Sequence, residues 1–205
     1  MIYVIGLLAQ LFFGARTIFQ WILSERAKKV LSPAIYWILS ILGSYLFFIY
    51  GWLREDFAII LGQIISYYIY IWNLKIKGVW QKTHIIIRIL LVITPIVAIT
   101  LAAENADQFI ATFLRNDNVP LWLIIFGSTG QVLFTFRFIY QIIYSAKRKE
   151  SILPLGFWVI SLTGSTLIIA YAIIRMDPIL ILGQSAGFIA YIRNIAIYHK
   201  HERLT

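Results

Sequence analysis

Long runs of hydrophobic residues, separated by short polar stretches, dominate the pattern of this chain. Crossing about 30 Å of hydrocarbon as an α-helix takes about 20 residues, and seven of the runs have roughly that length. The runs cover residues 2–24, 33–52, 57–74, 84–103, 121–145, 154–174 and 179–198. The pattern therefore predicts an all-α membrane protein with seven transmembrane helices, the fourth of which is kinked at Pro95.

The first and last parts of the chain resemble each other when one is shifted by 121 residues. Residues 8–77 then align with residues 129–198 without a gap, and about a third of the positions are identical. Many identical positions are polar or aromatic: Gln10/Gln131, Arg16/Arg137, Gln20/Gln141, Trp37/Trp158, Tyr50/Tyr171, Asp56/Asp177, Gln63/Gln184 and Asn73/Asn194. Because an apolar composition alone does not produce such identities, we infer an internal repeat of three helices.

Three helices is an odd number, so a single linker helix between the repeats lets both enter the membrane in the same orientation. We therefore predict a 3+1+3 arrangement of parallel repeats, related by an axis along the membrane normal as in the SWEET sugar transporters. The first repeat covers residues 1–78, the linker helix and outer loop residues 79–119, and the second repeat with the tail residues 120–205. A duplicated bundle without a pore would show the same sequence pattern.

Charged residues orient the predicted helices. The chain has 18 Lys and Arg against 9 Asp and Glu, and most basic residues lie in the connections after the first, third and fifth helices and in the tail. The alternate connections hold only Arg54, Arg115 and Arg175. By the positive-inside rule, the N-terminus is outside and the tail, with Lys200 and Arg203, is cytoplasmic. The basic excess thus indicates membrane orientation and not a nucleic-acid partner.

Two arginines, Arg16 and Arg137, occupy equivalent positions deep inside predicted helices. All acidic residues fall in connections or near helix ends, so neither guanidinium has a carboxylate at its depth, which costs several kcal/mol in hydrocarbon. Gln20 and Gln141 follow these arginines by four residues and share their helix face. If both repeats turn this face toward their common axis, the side chains form a cationic site suited to phosphate.

Further polar residues extend this site in the prediction. Gln63 and Gln184, in a repeated Leu-Gly-Gln sequence, would add hydrogen-bond donors. The predicted substrate-binding residues are Arg16, Arg137, Gln20, Gln141, Gln63, Gln184, Asn73 and Asn194. Gln10 and Gln131 lie at a different helix angle and need not join them. The alternative is a structural role, in which these side chains bond free carbonyls and one another. The acidic turns 54–56 and 175–177 are predicted to be solvated.

Enzyme chemistry has little support in the sequence. The absence of cysteine excludes disulfides, thiolate metal sites and cysteine nucleophiles. The three histidines lie at the predicted cytoplasmic edge, and no paired carboxylates or phosphate-binding glycine loop occur. We therefore expect no catalytic residue, no metal and no cofactor.

Residues 13–25, Phe-Gly-Ala-Arg-Thr-Ile-Phe-Gln-Trp-Ile-Leu-Ser-Glu, resemble the signature of the lipid A biosynthesis N-terminal domain family. The likeness extends over both repeats and includes the Ser-Pro of residues 32–33 and the Leu-Gly-Gln of residues 61–63. That family is similar in topology to SWEET and PQ-loop transporters. Some members are fused to, or encoded beside, lipid-A-disaccharide synthase or polyprenyl-phosphate glycosyltransferases. This chain lacks the Pro-Gln pair of PQ-loop proteins, and Ala146 stands where the first repeat has Glu25.

The resemblance implies a protein of the bacterial inner membrane that handles an anionic glycolipid. The first hypothesis is a carrier or flippase for a polyprenyl-phosphate-linked sugar or a lipid A precursor, with Arg16 and Arg137 on the phosphate. The alternative is a non-transporting accessory subunit of a membrane glycosyltransferase such as lipid-A-disaccharide synthase. Glycosyltransferase activity of the chain itself would need a nucleotide-sugar site, which the sequence does not offer.

Overall fold

The computed structural model describes residues 2–104, 106–113 and 119–202, and within these ranges every regular element is a helix. Arg115 and Arg203, which entered the charge pattern, lie outside the described residues. The helices are α1 (Ile2–Ala27), α2 (Ala34–Leu53), α3 (Phe57–Ile76), α4 (Val79–Lys82), α5 (Ile85–Glu104), α6 (Ala106–Phe113), α7 (Leu121–Arg148), α8 (Leu155–Ile174) and α9 (Pro178–Glu202).

Six of these helices are long and apolar enough to cross a membrane, namely α1, α2, α3, α7, α8 and α9. They correspond to six of the seven predicted runs, and the prediction of an all-α membrane protein is confirmed to that extent. The remaining run forms α5, which contains Pro95 and whose apolar stretch Ile85–Thr100 is shorter than those six. A seventh span at α5 stays a prediction.

The six long helices form a closed ring. Within each half the middle helix packs against its two chain neighbours, α2 against α1 and α3, and α8 against α7 and α9. Contacts of α3 with α7 and of α1 with α9 then join the two halves. The ring encloses fully buried aromatic side chains, with Trp37 and Trp158 at its centre. These elements bring the middle of α1 and the middle of α7 to the inside of one bundle.

The two ends of the bundle differ in character. At the basic end, α1 connects to α2 and α7 to α8 through lysine-rich turns in which Lys28 and Lys149 both adopt φ of 54°. At the opposite end, here called the turn end, α2 connects to α3 and α8 to α9 through three-residue turns. Each of these turns places an aspartate before the next helix, and the carboxylates of Asp56 and Asp177 accept hydrogen bonds from N–H groups of the first helical turn.

Candidate functional site

A cavity of about 250 Å³ lies between the two halves. Its wall includes four of the eight side chains predicted to bind substrate, Arg16, Arg137, Gln63 and Gln184. Further polar wall residues are Gln10, Thr17, Ser66, Tyr70, Gln131, Thr135 and Tyr191. The structure therefore brings both arginines and one pair of glutamines to a single chamber inside the bundle.

Arg16 is held by hydroxyl groups and aromatic rings. Its Nη1 donates to Ser40 Oγ at 2.7 Å and to the Tyr70 hydroxyl at 3.4 Å, and its guanidinium lies 4.5 Å from the centre of the Phe13 ring. A desolvated contact of this kind with an aromatic face contributes up to about 2 kcal/mol. The side chain is 5% exposed, and these contacts solvate the cation without neutralising it.

Arg137 has the matching environment in the second half. Its Nη1 donates to Ser161 Oγ at 3.2 Å and to the Tyr191 hydroxyl at 3.3 Å, and its guanidinium lies over the Phe134 ring. Nε has no hydrogen-bond partner in either arginine. The ion pairs among the described residues involve neither Arg16 nor Arg137. The cavity wall thus carries two buried positive charges, and each buried Nε–H lacks a hydrogen-bond partner within the protein.

Two glutamines that the sequence prediction set aside also reach the cavity. Gln10 packs against Gly183 of the opposite half, and Gln131 packs against Gly62. A Cβ atom at either glycine would collide with the glutamine amide, which explains why glycine precedes glutamine in both copies of Leu-Gly-Gln. The identity of Gln10 with Gln131, together with that of the two glycines, was the available sequence signal.

The remaining four predicted residues lie outside the cavity wall and bond to one another across the two halves. Gln20 and Asn194 exchange hydrogen bonds of 2.9 and 3.1 Å between their amides. Gln141 and Asn73 do the same at 3.0 and 3.1 Å. All four side chains are fully buried. They form a layer at the basic end of the cavity in which α1 is bonded to α9 and α3 to α7.

The turn end carries a second set of contacts between the halves. The Tyr50 hydroxyl donates to Asp177 at 3.0 Å, and the Tyr171 hydroxyl donates to Asp56 at 2.8 Å. Arg54 lies 3.4 Å from the Asp177 carboxylate. Both carboxylates are buried, whereas Glu55 and Met176 of the same turns are exposed. The prediction of solvated turns is therefore wrong for the two aspartates. Burial raises the pKa of the Asp56 carboxyl, against the hydrogen bonds from Tyr171 and the Ile59 N–H.

Each of these contacts has a counterpart 121 residues away, because the side chains that make them are identical in the two halves. Within the described ranges, no cluster of three or more His, Asp or Glu side chains is placed to hold a metal ion. The chemistry that the cavity offers is the binding of a negatively charged group by two guanidinium ions, with amides and hydroxyls around it.

Known sequences resemble this chain over its whole length. The profile of the Lipid A Biosynthesis N-terminal domain family matches it twice, at residues 5–75 and 126–196. Lipid-A-disaccharide synthases from Chlamydia pneumoniae and Chlamydia abortus are 31% and 33% identical to it over 100% of the chain. The synthase from Chlamydia felis is 30% identical over 99% of the chain.

The chain spans about a third of the length of these relatives, 35% of the first and 34% of the other two. No solved structure matches it. Each of the two family matches contains one arginine of the cavity, one aspartate turn, and one glutamine and one glycine of the contacts between the halves. On these matches, the chain belongs to the Lipid A Biosynthesis N-terminal domain family.

Proposed function

We propose that this protein is a non-catalytic membrane component of lipid A synthesis that binds the phosphate of a lipid substrate and presents the lipid to a glycosyltransferase. The observation that carries the proposal is the pair Arg16 and Arg137, buried in one cavity without an acidic partner among the residues that the structure describes. A charge in this setting costs several kcal/mol, and an anionic ligand offsets that cost.

The cavity matches the head group of a phosphorylated sugar lipid. The guanidinium groups of Arg16 and Arg137 line the cavity, and their planar geometry is well suited to donating to phosphate oxygens. The side chains of Gln63 and Gln184 line the same cavity, and their amides bond sugar hydroxyls. The four bridging amides, Gln20, Gln141, Asn73 and Asn194, have their donors engaged within the protein, and we assign them to holding the halves together.

The accessory role follows from the relatives. Proteins similar to this chain are synthases about three times as long, so the matched region is one part of a larger enzyme. A glycosyltransferase, attached or separate, supplies the chemistry, and the membrane module supplies the bound lipid. We place the module in the bacterial inner membrane, with the basic end facing the cytoplasm, where the positive-inside rule puts the lysine-rich turns.

The second candidate is a carrier or flippase for the same anionic lipid. It is favoured by one observation, the equivalent placement of one arginine in each half of the bundle. Transporters built from repeats place their substrate at the repeat interface, and a SWEET-like parallel arrangement with a seventh span at α5 belongs to this hypothesis. The two candidates share the phosphate site and differ in whether the lipid changes leaflet.

Lipid binding tests the shared site. In neutral-lipid nanodiscs, the protein is expected to bind phosphatidic acid in preference to phosphatidylcholine, and Arg16→Gln or Arg137→Gln should weaken binding at least about tenfold, or 1.4 kcal/mol. Arg26→Gln removes an exposed arginine at the basic end and serves as the control of equal charge change. Equal loss in all three variants would indicate surface attraction and contradict the proposal.

Two further measurements separate the candidates. The accessory function predicts that the protein co-purifies with a glycosyltransferase and does not move a labelled phospholipid between leaflets of proteoliposomes. Translocation that is abolished by Arg137→Gln would instead establish the carrier.

A further inference from the structure

The cavity reaches the surface of the bundle on one side. Every wall residue from α3 and α7 is buried. The partly or fully exposed wall residues all belong to α1 and α9 and are Gln10, Phe13, Gly14, Ile18, Trp21, Gly183, Gln184 and Ile189. An opening therefore lies between α1 and α9, the α1/α9 portal, and the equivalent contact between α3 and α7 is closed.

Substitutions between the two halves account for this difference. Position 14 is glycine, and a Cβ built there has no neighbour within 4 Å, whereas its counterpart is Thr135. In α9 the exposed Ser185 stands where α3 has the larger Ile64. Residues 72 and 146, which would face each other across the closed side, are Trp and Ala. The repeat is therefore broken at the helix contact where the opening lies.

An ion pair borders the portal at the basic end. Arg193 of α9 bonds to Glu25 of α1 through its Nε, and Trp21 Nε1 donates to the same carboxylate at 3.0 Å. Trp21 also lines the cavity. Because the closed side has Trp72 and Ala146 at the equivalents of this pair, the contact is specific to the portal. The ion pair joins α1 to α9 at the basic end of the portal.

The size of the chamber shows what must remain outside it. Its volume of about 250 Å³ is below the 300–1,000 Å³ of pockets that enclose drug-sized ligands, so the chamber cannot enclose a whole lipid. The rim of the portal is apolar, with Ile18 54% and Ile189 67% exposed. In a bilayer this rim contacts hydrocarbon, and the charge lies behind it.

Resting on the phosphate site proposed above, the geometry points to the α1/α9 portal as the binding site for the hydrocarbon chain of the anionic lipid. The phosphate binds at Arg16 and Arg137, and the chain extends between α1 and α9 into the bilayer. The lipid enters sideways from the bilayer, between α1 and α9, and does not use the α3–α7 contact. The site is therefore asymmetric although the arginines are symmetric.

Fluorescence quenching tests this placement, since the chain has no cysteine and single-cysteine variants take one label each. Ile18→Cys at the portal and its counterpart Ile139→Cys on the closed side are labelled with a fluorophore in phosphatidylcholine nanodiscs. The quencher is a phosphatidic acid with a nitroxide on its acyl chain, present at low mole fraction. A phosphatidylcholine with the same nitroxide measures non-specific collision.

If the chain lies in the portal, the nitroxide-labelled phosphatidic acid should quench a label at residue 18 more than the nitroxide-labelled phosphatidylcholine does. At residue 139 the two lipids should quench equally. Unlabelled phosphatidic acid or Arg137→Gln should remove the excess. As a second variant, Gly14→Phe fills the opening without meeting a neighbour within 4 Å of its Cβ, and it should weaken phosphatidic acid binding at least about tenfold.

Excess quenching that depends on Arg137 but is equal at residues 18 and 139 would overturn the portal and leave the phosphate site intact. Binding that is insensitive to both arginines would overturn the phosphate site, and the portal with it. Undiminished binding by Gly14→Phe would also contradict entry between α1 and α9.

Discussion

Arg16 and Arg137 show how a membrane protein keeps a cation without a carboxylate. Each guanidinium is oriented by one serine and one tyrosine hydroxyl and covered by aromatic rings. An internal carboxylate would neutralise the charge and remove the reason for an anion to bind. Hydroxyls and rings orient the group and leave its charge for a ligand.

Arg137→Lys separates charge from geometry at the residue scale. The ammonium keeps the positive charge, but it lacks the planar fork that binds two phosphate oxygens and bonds Ser161 and Tyr191. We expect phosphatidic acid affinity about threefold below wild type, which lies between the affinities of the wild type and of Arg137→Gln. Titration in nanodiscs measures the three constants. Wild-type affinity in Arg137→Lys would mean that charge alone suffices.

At the scale of helices, polar layers at the two ends of the cavity join the halves. At the basic end amide pairs bond α1 to α9 and α3 to α7, and at the turn end Tyr50 and Tyr171 bond the aspartates before α9 and α3. Both layers bond groups of one half to groups of the other. They join the two halves at both ends of the cavity.

The pair Asn73 and Gln141 is predicted to stabilise the bundle and not to bind lipid. Removing either amide leaves the buried polar group of its partner without a hydrogen bond, which lowers the free energy of unfolding by about 1–3 kcal/mol. A double-mutant cycle with Asn73→Leu and Gln141→Leu should give a coupling energy of about 0.5–3 kcal/mol. Unfolding in mixed micelles measures it. Loss of phosphatidic acid binding in Gln141→Leu at unchanged stability would return Gln141 to the lipid site.

For the whole molecule, the path of the chain between the halves decides the number of spans. Helix α3 ends at the basic end, and α7 starts at the turn end, where Gly127 packs against Tyr171. The chain between them must travel the height of the bundle. Helix α5 has 20 residues, which corresponds to about 30 Å of helical rise. We therefore expect α5 to cross the membrane and supply that path.

Labelling with a membrane-impermeant thiol reagent checks this topology. If α5 spans the membrane, Lys28→Cys and Lys149→Cys lie on the same side and react only after the cells are opened. Met176→Cys, 82% exposed in the wild type, should react in intact cells. Reaction of residues 28 and 149 from opposite sides would rule out the seventh span and the parallel repeats together.

The sequence by itself determined the features that depend on local composition and on depth in the membrane. The apolar runs predicted seven transmembrane helices, and six long apolar helices, including α1 and α7, lie where the runs predicted them, while the seventh span stays a prediction. Arginines in mid-helix indicated a buried cationic site because the acidic residues were confined to connections. These inferences need only the cost of charge in hydrocarbon and the rise of a helix, and both act along one segment.

Only the tertiary structure decided which glutamines reach the cavity, since that depends on register between helices. Gln20 shares a face with Arg16 and yet bonds Asn194, because α9 presents an amide at that depth. Gln10 enters the cavity because Gly183 of the other half leaves room. The burial of the two aspartates and the position of the portal were likewise decided by contacts between helices. Each depends on which side chain an opposite helix brings near, and no periodicity within a single segment encodes that.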